Sequence, residues 1–254
     1  MRIAFTREVG SRIAECELTH LQREPVDVDR AREQHARYEN RLREAGCDVR
    51  RLAPLPDCPD SVFVEDTAIV LDEVAVITRP GAVSRRPEIA STAEALRAYR
   101  EIASVSEPGI LDGGDVLRLG RNLYVGLSAR TNREGLDELA RVTAPYGYAV
   151  QGVDLRGCLH LKSAVTRVAE DTVLLNPAWV DPGVFANYAQ VAVDAAEPAA
   201  GNALHFGNTL IFPEEFPRTR ERLEAAGLRV TTVPAAELAK AEGGVTCCSL
   251  VFDA

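Results

Sequence analysis

Apolar residues in this chain come in short runs, and most runs arrive in pairs divided by a short polar turn. Asp66 is followed by Thr-Ala-Ile-Val-Leu, a turn at Asp72-Glu73, then Val-Ala-Val-Ile. Asp115 is followed by Val-Leu-Arg-Leu, a turn over Gly120 to Asn122, then Leu-Tyr-Val. Lys162 opens Ser-Ala-Val-Thr-Arg-Val, a turn over Ala169 to Asp171, then Thr-Val-Leu-Leu; Asn202 opens Ala-Leu-His-Phe, a turn at Gly207-Asn208, then Thr-Leu-Ile-Phe. Each is a polar residue introducing a β-hairpin with turn chemistry at its centre. The opening residues are spaced by 49, 47 and 40 positions. A further 45 positions bring Cys247, which opens Cys-Cys-Ser-Leu-Val-Phe and has no partner downstream. The N-terminal strand Arg2 to Thr6, with Ile3-Ala-Phe5, can supply that partner.

Between the hairpins the spacing predicts helices over Glu88 to Arg100, Asn132 to Ala144 and Arg218 to Ala226, with a less regular stretch over Asp181 to Ala189. Asp27 to Ala45 reads as a helix closed by Gly46, and Val49 to Leu52 as a strand. Ser11 to Pro25 is polar and irregular, and Pro54 to Pro59 is a loop. A repeat of this length, with several strands and a helix per unit, predicts a closed ring of about five units. The expected class is therefore α/β, a single domain over residues 1–254 whose ring is closed by its terminal strands. An open doubly wound sheet is the alternative, and the hairpins argue against it because parallel strands need crossovers.

Composition narrows the function. The hydrophobic fraction of 46% and charged fraction of 26% are those of a globular protein, and the net charge of −9 leaves no basic face for a nucleic acid. No stretch approaches the roughly 20 apolar residues of a membrane span. The first residues read as a strand and not as a signal peptide, so a cytoplasmic location is expected. Cys16, Cys47, Cys58, Cys158, Cys247 and Cys248 show no C-x-x-C spacing, which predicts reduced thiols. In an extended strand, Cys247 and Cys248 would point to opposite faces.

In a ring, the hairpin entrances gather at one end of the axis. The residues there are Asp60, Glu65 and Asp66; Asp112 and Asp115; His160 and Lys162; Asn202; and Cys247. Taken singly, an Asp before a strand is a turn former, a His before an apolar run is a hydrogen-bonded structural group, and a cysteine pair is packing. Their shared register separates them from that reading, because independent structural residues have no reason to mark equivalent positions. A thiol, an imidazole and several carboxylates brought together suit nucleophilic chemistry on a cationic substrate. Spacing does not choose between Cys247 and Cys248. His20, His35 and His205 keep the structural reading.

Phe63-Val-Glu-Asp66, Ile77 to Ala82 with Ser84-Arg-Arg86, Leu111-Asp-Gly-Gly-Asp115, Gly126 to Asn132, Leu159-His-Leu-Lys-Ser163 and Gly243 to Ser249 resemble, in order, the motifs of the dimethylarginine dimethylaminohydrolases. The resemblance runs over essentially the whole chain. It implies a five-bladed α/β propeller and hydrolysis of asymmetric dimethylarginine and monomethylarginine to citrulline, through a covalent S-alkylthiouronium. It implies Cys247 as nucleophile, His160 as general acid/base and Asp112 as the group orienting it. For the substrate it implies Asp66 at the guanidinium with Glu65 beside it, and Arg85 and Arg130 at the α-carboxylate. Asp60, Glu242 and the backbone around Leu18 and Ala241 then surround the α-amino group or cover the pocket. No metal or organic cofactor is implied. The expected partner is methylated arginine, with no nucleic acid and no membrane. An inhibitory zinc on Cys247 and His160 and a homodimeric assembly are the other associations to test. An arginine deiminase-like hydrolase and a non-catalytic binding propeller are the competing readings. His160-Leu-Lys162 departs from the His-x-Asp of the deiminases.

Overall fold

A computed structural model describes residues 1–254. Its strands form five three-stranded sheets, and each sheet has the same plan. An inner strand pairs antiparallel with a middle strand, and a crossover returns the chain to an outer strand parallel to the middle one. The first sheet is β15 (Leu250–Asp253), β1 (Arg2–Thr6) and β2 (Asp48–Arg51), with helix α1 (Val28–Glu44) as the crossover. The second is β3 (Ala68–Val70), β4 (Val74–Ile77) and β5 (Glu101–Ser104), crossed by α2 (Ile89–Leu96). The third is β6 (Val116–Leu119), β7 (Asn122–Leu127) and β8 (Ala149–Asp154), crossed by α3 (Arg133–Thr143). A one-turn helix α4 (Leu161–Ala164) precedes the fourth, made of β9 (Val165–Ala169), β10 (Thr172–Leu175) and β11 (Ala189–Ala192). The fifth is β12 (Leu204–Phe206), β13 (Thr209–Pro213) and β14 (Val230–Val233), crossed by α5 (Pro217–Ala225) and followed by α6 (Ala236–Ala239). The five inner strands line one axial cavity of about 310 Å³, which makes the assembly a five-bladed propeller.

All four predicted hairpins form, and β1 pairs with β15 in the register Ile3 to Phe252 and Phe5 to Leu250. The outer strands β5, β8, β11 and β14 are not predicted by the hydrophobic pattern. Nearly all of their residues are exposed or half-exposed, so they carry little of that pattern to read. Each unit thus combines a hairpin with a crossover, the feature that would mark the alternative fold. The stretch Asp181 to Ala189 contains only a 3-10 turn, Pro182–Phe185, in place of a crossover helix.

The middle strands are buried on both faces, and strand alternation divides their side chains between two cores. Val74 and Val76 of β4 enter one apolar cluster, while Ala75 and Ile77 enter the next. Likewise Leu123 and Val125 of β7 face one cluster and Tyr124 the other. The core is therefore a set of wedges between neighbouring blades. Helix ends follow local chemistry. Asp27 caps α1 by accepting from the Arg30 N–H at 3.0 Å, and Gly46 leaves it at φ +89°. Asn132 caps α3 through the Gly135 N–H at 2.8 Å.

Closure rests on apolar contact as well as on backbone pairing. The Phe252 ring stands edge-on to Phe5 and to Tyr99, each with centroids 5.3 Å apart. Phe252→Ala is expected to cost about 3–5 kcal/mol in stability, as for other buried aromatic truncations. Chemical denaturation measures this; a loss well under 1 kcal/mol would mean that the closing strand is not tied into the fold.

Candidate active site

The residues marked at the hairpin entrances lie not on the strands but on short helical turns just before them. Glu65 and Asp66 sit in the 3-10 turn Val64–Thr67, Asp112 precedes the 3-10 turn Gly113–Asp115, and His160 precedes α4. Cys247 and Cys248 lie in a turn before β15 and not in an extended strand. This turn separates the two thiols. Cys247 lines a cavity shared with His160, Asp66, Asp60, Arg85 and Arg130. Cys248 lines a different one, with His35 and Tyr38, and its thiol contacts the Gly244 carbonyl at 3.6 Å.

His160 is buried, and its Nε2 lies 3.1 Å from an oxygen of Asp112. Asp112 is fully buried; its other oxygen accepts from the Gly81 N–H at 2.9 Å, and its own N–H donates to Thr131 Oγ1. On the other side of the ring, Nδ1 lies 3.9 Å from Asp66, whose oxygen accepts from the Gly114 N–H at 2.9 Å. A Cβ on residue 114 would stand 2.7 Å from both that oxygen and Nδ1, so this close approach requires glycine. Asp115 acts from behind, accepting from the Leu161 N–H at 2.9 Å and from Ser128 Oγ at 2.7 Å.

Burial alone would favour a neutral imidazole, but Asp66, Asp115 and Asp112 outweigh it and raise the His160 pKa to about 9. Burial and the nearby charges of Glu65 and Asp66 push the Cys247 thiol up to about 12, against the Gly244 N–H, 3.3 Å from Sγ, and Lys162. Near neutral pH the pair is therefore thiol and imidazolium. Burial also works against a charged Asp66, but His160 and Arg85 hold its pKa well below the usual carboxylate range.

Two of the expected substrate-binding residues, Arg85 and Glu65, are engaged within the protein. Arg85 does not present a free guanidinium. It is buried and bonds to Asp66, to both oxygens of Glu88, and to the carbonyls of Asp60 and Phe63. A buried cation satisfies its donors within the protein, and Glu88, not singled out from the sequence, supplies much of that. Glu65 also turns away from the catalytic cavity. Its oxygens take Lys162 Nζ at 2.5 Å and Thr246 Oγ1 at 2.7 Å, and its N–H donates to the Cys247 carbonyl.

Arg130 is less committed, 3.9 Å from Asp112 with one nitrogen 3.3 Å from Thr19 Oγ1. Glu242, at φ +58°, accepts from the N–H groups of Thr19, His20 and Leu21 and ties the N-terminal loop across the site. Asp60 accepts from the Glu17 N–H in the same loop. Leu18 is half-buried against the apolar cluster holding Cys247 and does not line the cavity, whereas Ala241 does. The metal-type donors that the fold brings within 4.8 Å of one another are Asp66, Asp112 and His160, a set without Cys247. The free volume is about 10 Å³, so a substrate must displace side chains to enter.

A family model described as N,N dimethylarginine dimethylhydrolase, eukaryotic, matches residues 11–181. The N(G),N(G)-dimethylarginine dimethylaminohydrolase of Streptomyces coelicolor is 41% identical over 249 residues, 97% of this chain and 95% of that protein. The enzyme of that name from Pseudomonas aeruginosa is 34% identical, over 89% of this chain and 90% of its own. A solved structure of the Pseudomonas aeruginosa protein, a Cys-to-Ser variant complexed with citrulline, matches with a TM-score of 0.94 at 31% identity, covering 98% of each chain.

Removing the Asp112 charge takes away a favourable field at His160, while an amide oxygen can still accept from Nε2. Asp112→Asn is expected to lower the His160 pKa from about 9 toward the ordinary value near 6.5. Imidazole NMR titration of the variant reads this, and an unmoved pKa would show that Asp112 does not support the imidazolium.

Proposed function

We propose that this chain, which belongs to the dimethylarginine dimethylaminohydrolase family, hydrolyses asymmetric dimethylarginine and monomethylarginine to citrulline, releasing dimethylamine or methylamine. The reading treats residues 1–254 as one catalytic domain. The observation that carries it is the buried cavity in which the Cys247 thiol, the Asp112-bound His160 and the Asp66 carboxylate meet. A nucleophile, a proton donor and a fixed negative charge in one dry site fit attack on a guanidinium carbon.

Binding comes first. The substrate guanidinium docks against the Asp66 carboxylate, whose bond to Arg85 holds it in place. Arg130 holds the α-carboxylate, and Asp60 with the backbone near Leu18 and Ala241 receives the α-amino group. Glu242 secures the covering loop. The positive charge placed beside Cys247 lowers its pKa, so the thiol gives up its proton to solvent as the substrate docks, His160 being already protonated. The thiolate attacks the guanidinium carbon, and the tetrahedral intermediate collapses as His160 protonates the departing amine. Neutral His160, held by Asp112, then accepts a proton from the water that attacks the thiouronium carbon. Expulsion of the Cys247 thiolate leaves citrulline. Because amine departure uses the imidazolium form, turnover falls as pH rises through the His160 pKa. The reading also includes a cytoplasmic compartment, zinc inhibition through Cys247 and His160, and homodimeric assembly.

Parallel assays on asymmetric dimethylarginine and arginine, without added metal, test the reaction. Citrulline and dimethylamine from the first, with little from the second, are expected; ammonia release from arginine would move the chain to deiminase chemistry. Cys247→Ser should abolish turnover and Cys248→Ser should retain most of it, the reverse pattern overturning the assignment of the nucleophile. Arg130→Ala should raise KM by one to two orders of magnitude, since a charge-assisted pair is worth about 1.5–3 kcal/mol. An unchanged KM would remove Arg130 from the site.

A further inference from the structure

Thr246 stands immediately before Cys247, takes no part in the chemistry above, and has every polar atom engaged. Its N–H donates to Asn202 Oδ1 at 3.0 Å, and its carbonyl accepts from the Ser249 N–H at 3.3 Å. Its hydroxyl donates to Glu65 Oε2 at 2.7 Å and accepts from Asn202 Nδ2 at 2.9 Å. The direction of both bonds is fixed, since a carboxylate accepts and an amide nitrogen donates. Thr246, Glu65 and Asn202 are all buried.

The grip on this hydroxyl is not local. Glu65 comes from the turn before β3, and its other oxygen takes Lys162 Nζ of α4 at 2.5 Å. Asn202 precedes β12, and its Nδ2 also donates to the Lys162 carbonyl at 2.9 Å. Four of the five hairpin entrances therefore meet at one residue. Two further contacts carry the arrangement to the thiol. The Glu65 N–H donates to the Cys247 carbonyl at 3.1 Å. The Asn202 carboxamide lies against Gly244, where an added Cβ would stand 2.5 Å from it, and the Gly244 N–H donates to Cys247 Sγ at 3.3 Å.

A buried threonine hydroxyl is ordinarily satisfied by a carbonyl a few residues back, as Thr67 is by Val64 and Thr143 by Leu139. Thr246 instead uses side chains 181 and 44 positions away, and both of those residues also touch the groups flanking the thiol. We propose that Thr246 is the positioning residue of the nucleophile: held between Glu65 and Asn202, its hydroxyl fixes the turn so that Cys247 Sγ stays beside the Gly244 N–H and within the cavity of His160. Glu65, Asn202 and Lys162 complete the clamp. None of the four lines the catalytic cavity, so the clamp acts on the rate of attack and not on substrate affinity. The role rests on the reaction proposed above, in which a nucleophile displaced by about 1 Å would cost as much as 100-fold in rate.

Steady-state kinetics and thiol alkylation of the full chain test this in Thr246→Val, which keeps the shape and loses the hydroxyl, and in Thr246→Ser, which keeps the hydroxyl. In Thr246→Val, kcat for asymmetric dimethylarginine should fall about tenfold to a hundredfold while KM stays within about threefold, and Thr246→Ser should restore most of kcat. The rate of Cys247 modification by iodoacetamide at fixed pH, followed by peptide mass spectrometry, assumes nothing about the substrate. It should fall about tenfold in Thr246→Val, because the thiolate loses the Gly244 donor, and not in Thr246→Ser. A chain that makes no citrulline yet shows this alkylation pattern supports the clamp and sinks the reaction. Unchanged kcat in an active Thr246→Val overturns the proposal, as does a Thr246→Ser that behaves like Thr246→Val. Unchanged or faster alkylation in Thr246→Val also overturns it, the faster rate marking a residue that merely holds the fold together. Should Thr246→Val fail to fold, Asn202→Ser, which removes the other grip on the hydroxyl, decides by the same two measurements.

Discussion

Arg2 and Asp253, 251 positions apart in the chain, form a bidentate ion pair at one edge of the sheet that joins β15 to β1. That pairing gives the last strand its only hydrogen-bonded neighbour and shuts the ring. The wedge-shaped cores depend on it, because Ile3, Phe5, Leu250 and Phe252 meet Ala75 and Ile77 of the next blade in one cluster. So does the chemistry. The turn that carries Cys247 is held between α6 and β15, and a frayed terminus would leave the thiol with no fixed relation to His160. The entropic cost of closing so long a loop grows only slowly with its length, while the apolar area buried by closure is large.

Around the axis, charge is buried in quantity and almost all of it is paired. Arg85 with Asp66 and Glu88, Lys162 with Glu65, and His160 with Asp112 are three such groupings within a few residues of the thiol. Unpaired charges in such an interior would be costly, so the network leaves few donors free. It also sets the resting protonation state. Three carboxylates keep the imidazole protonated, and burial together with the negative field raises the thiol.

The repeat of hairpins, helices beginning at Asp27 and Asn132, and the pairing of the termini were all readable. The first two depend on residues near in sequence, and the third on a last strand left without a partner in the repeat; such signals survive without knowledge of the fold. Of the outer strands only β2 was readable; residues such as those of β5 and β11 are largely exposed or half-exposed and mixed in polarity. Their position is imposed by the crossover that returns them to a middle strand. The identities of Asp66, Asp112, His160 and Cys247 as a converging group were legible from their register. The motif containing Gly114 was visible too, but its purpose, admitting Asp66 and His160 within reach of each other, emerges only when the blades are side by side.

Thus the chain itself determined the five-unit ring, the gathering of polar residues at one end and the family to which its motifs point, because these follow from periodicity and residue type. Only the tertiary structure decided which of two adjacent thiols faces the imidazole, a matter of how one turn rotates its side chains. It also decided that Arg85 and Glu65 are committed to Asp66, Glu88 and Lys162. The pairing of buried charges depends on distances between residues far apart in sequence, and residue type alone does not contain those distances.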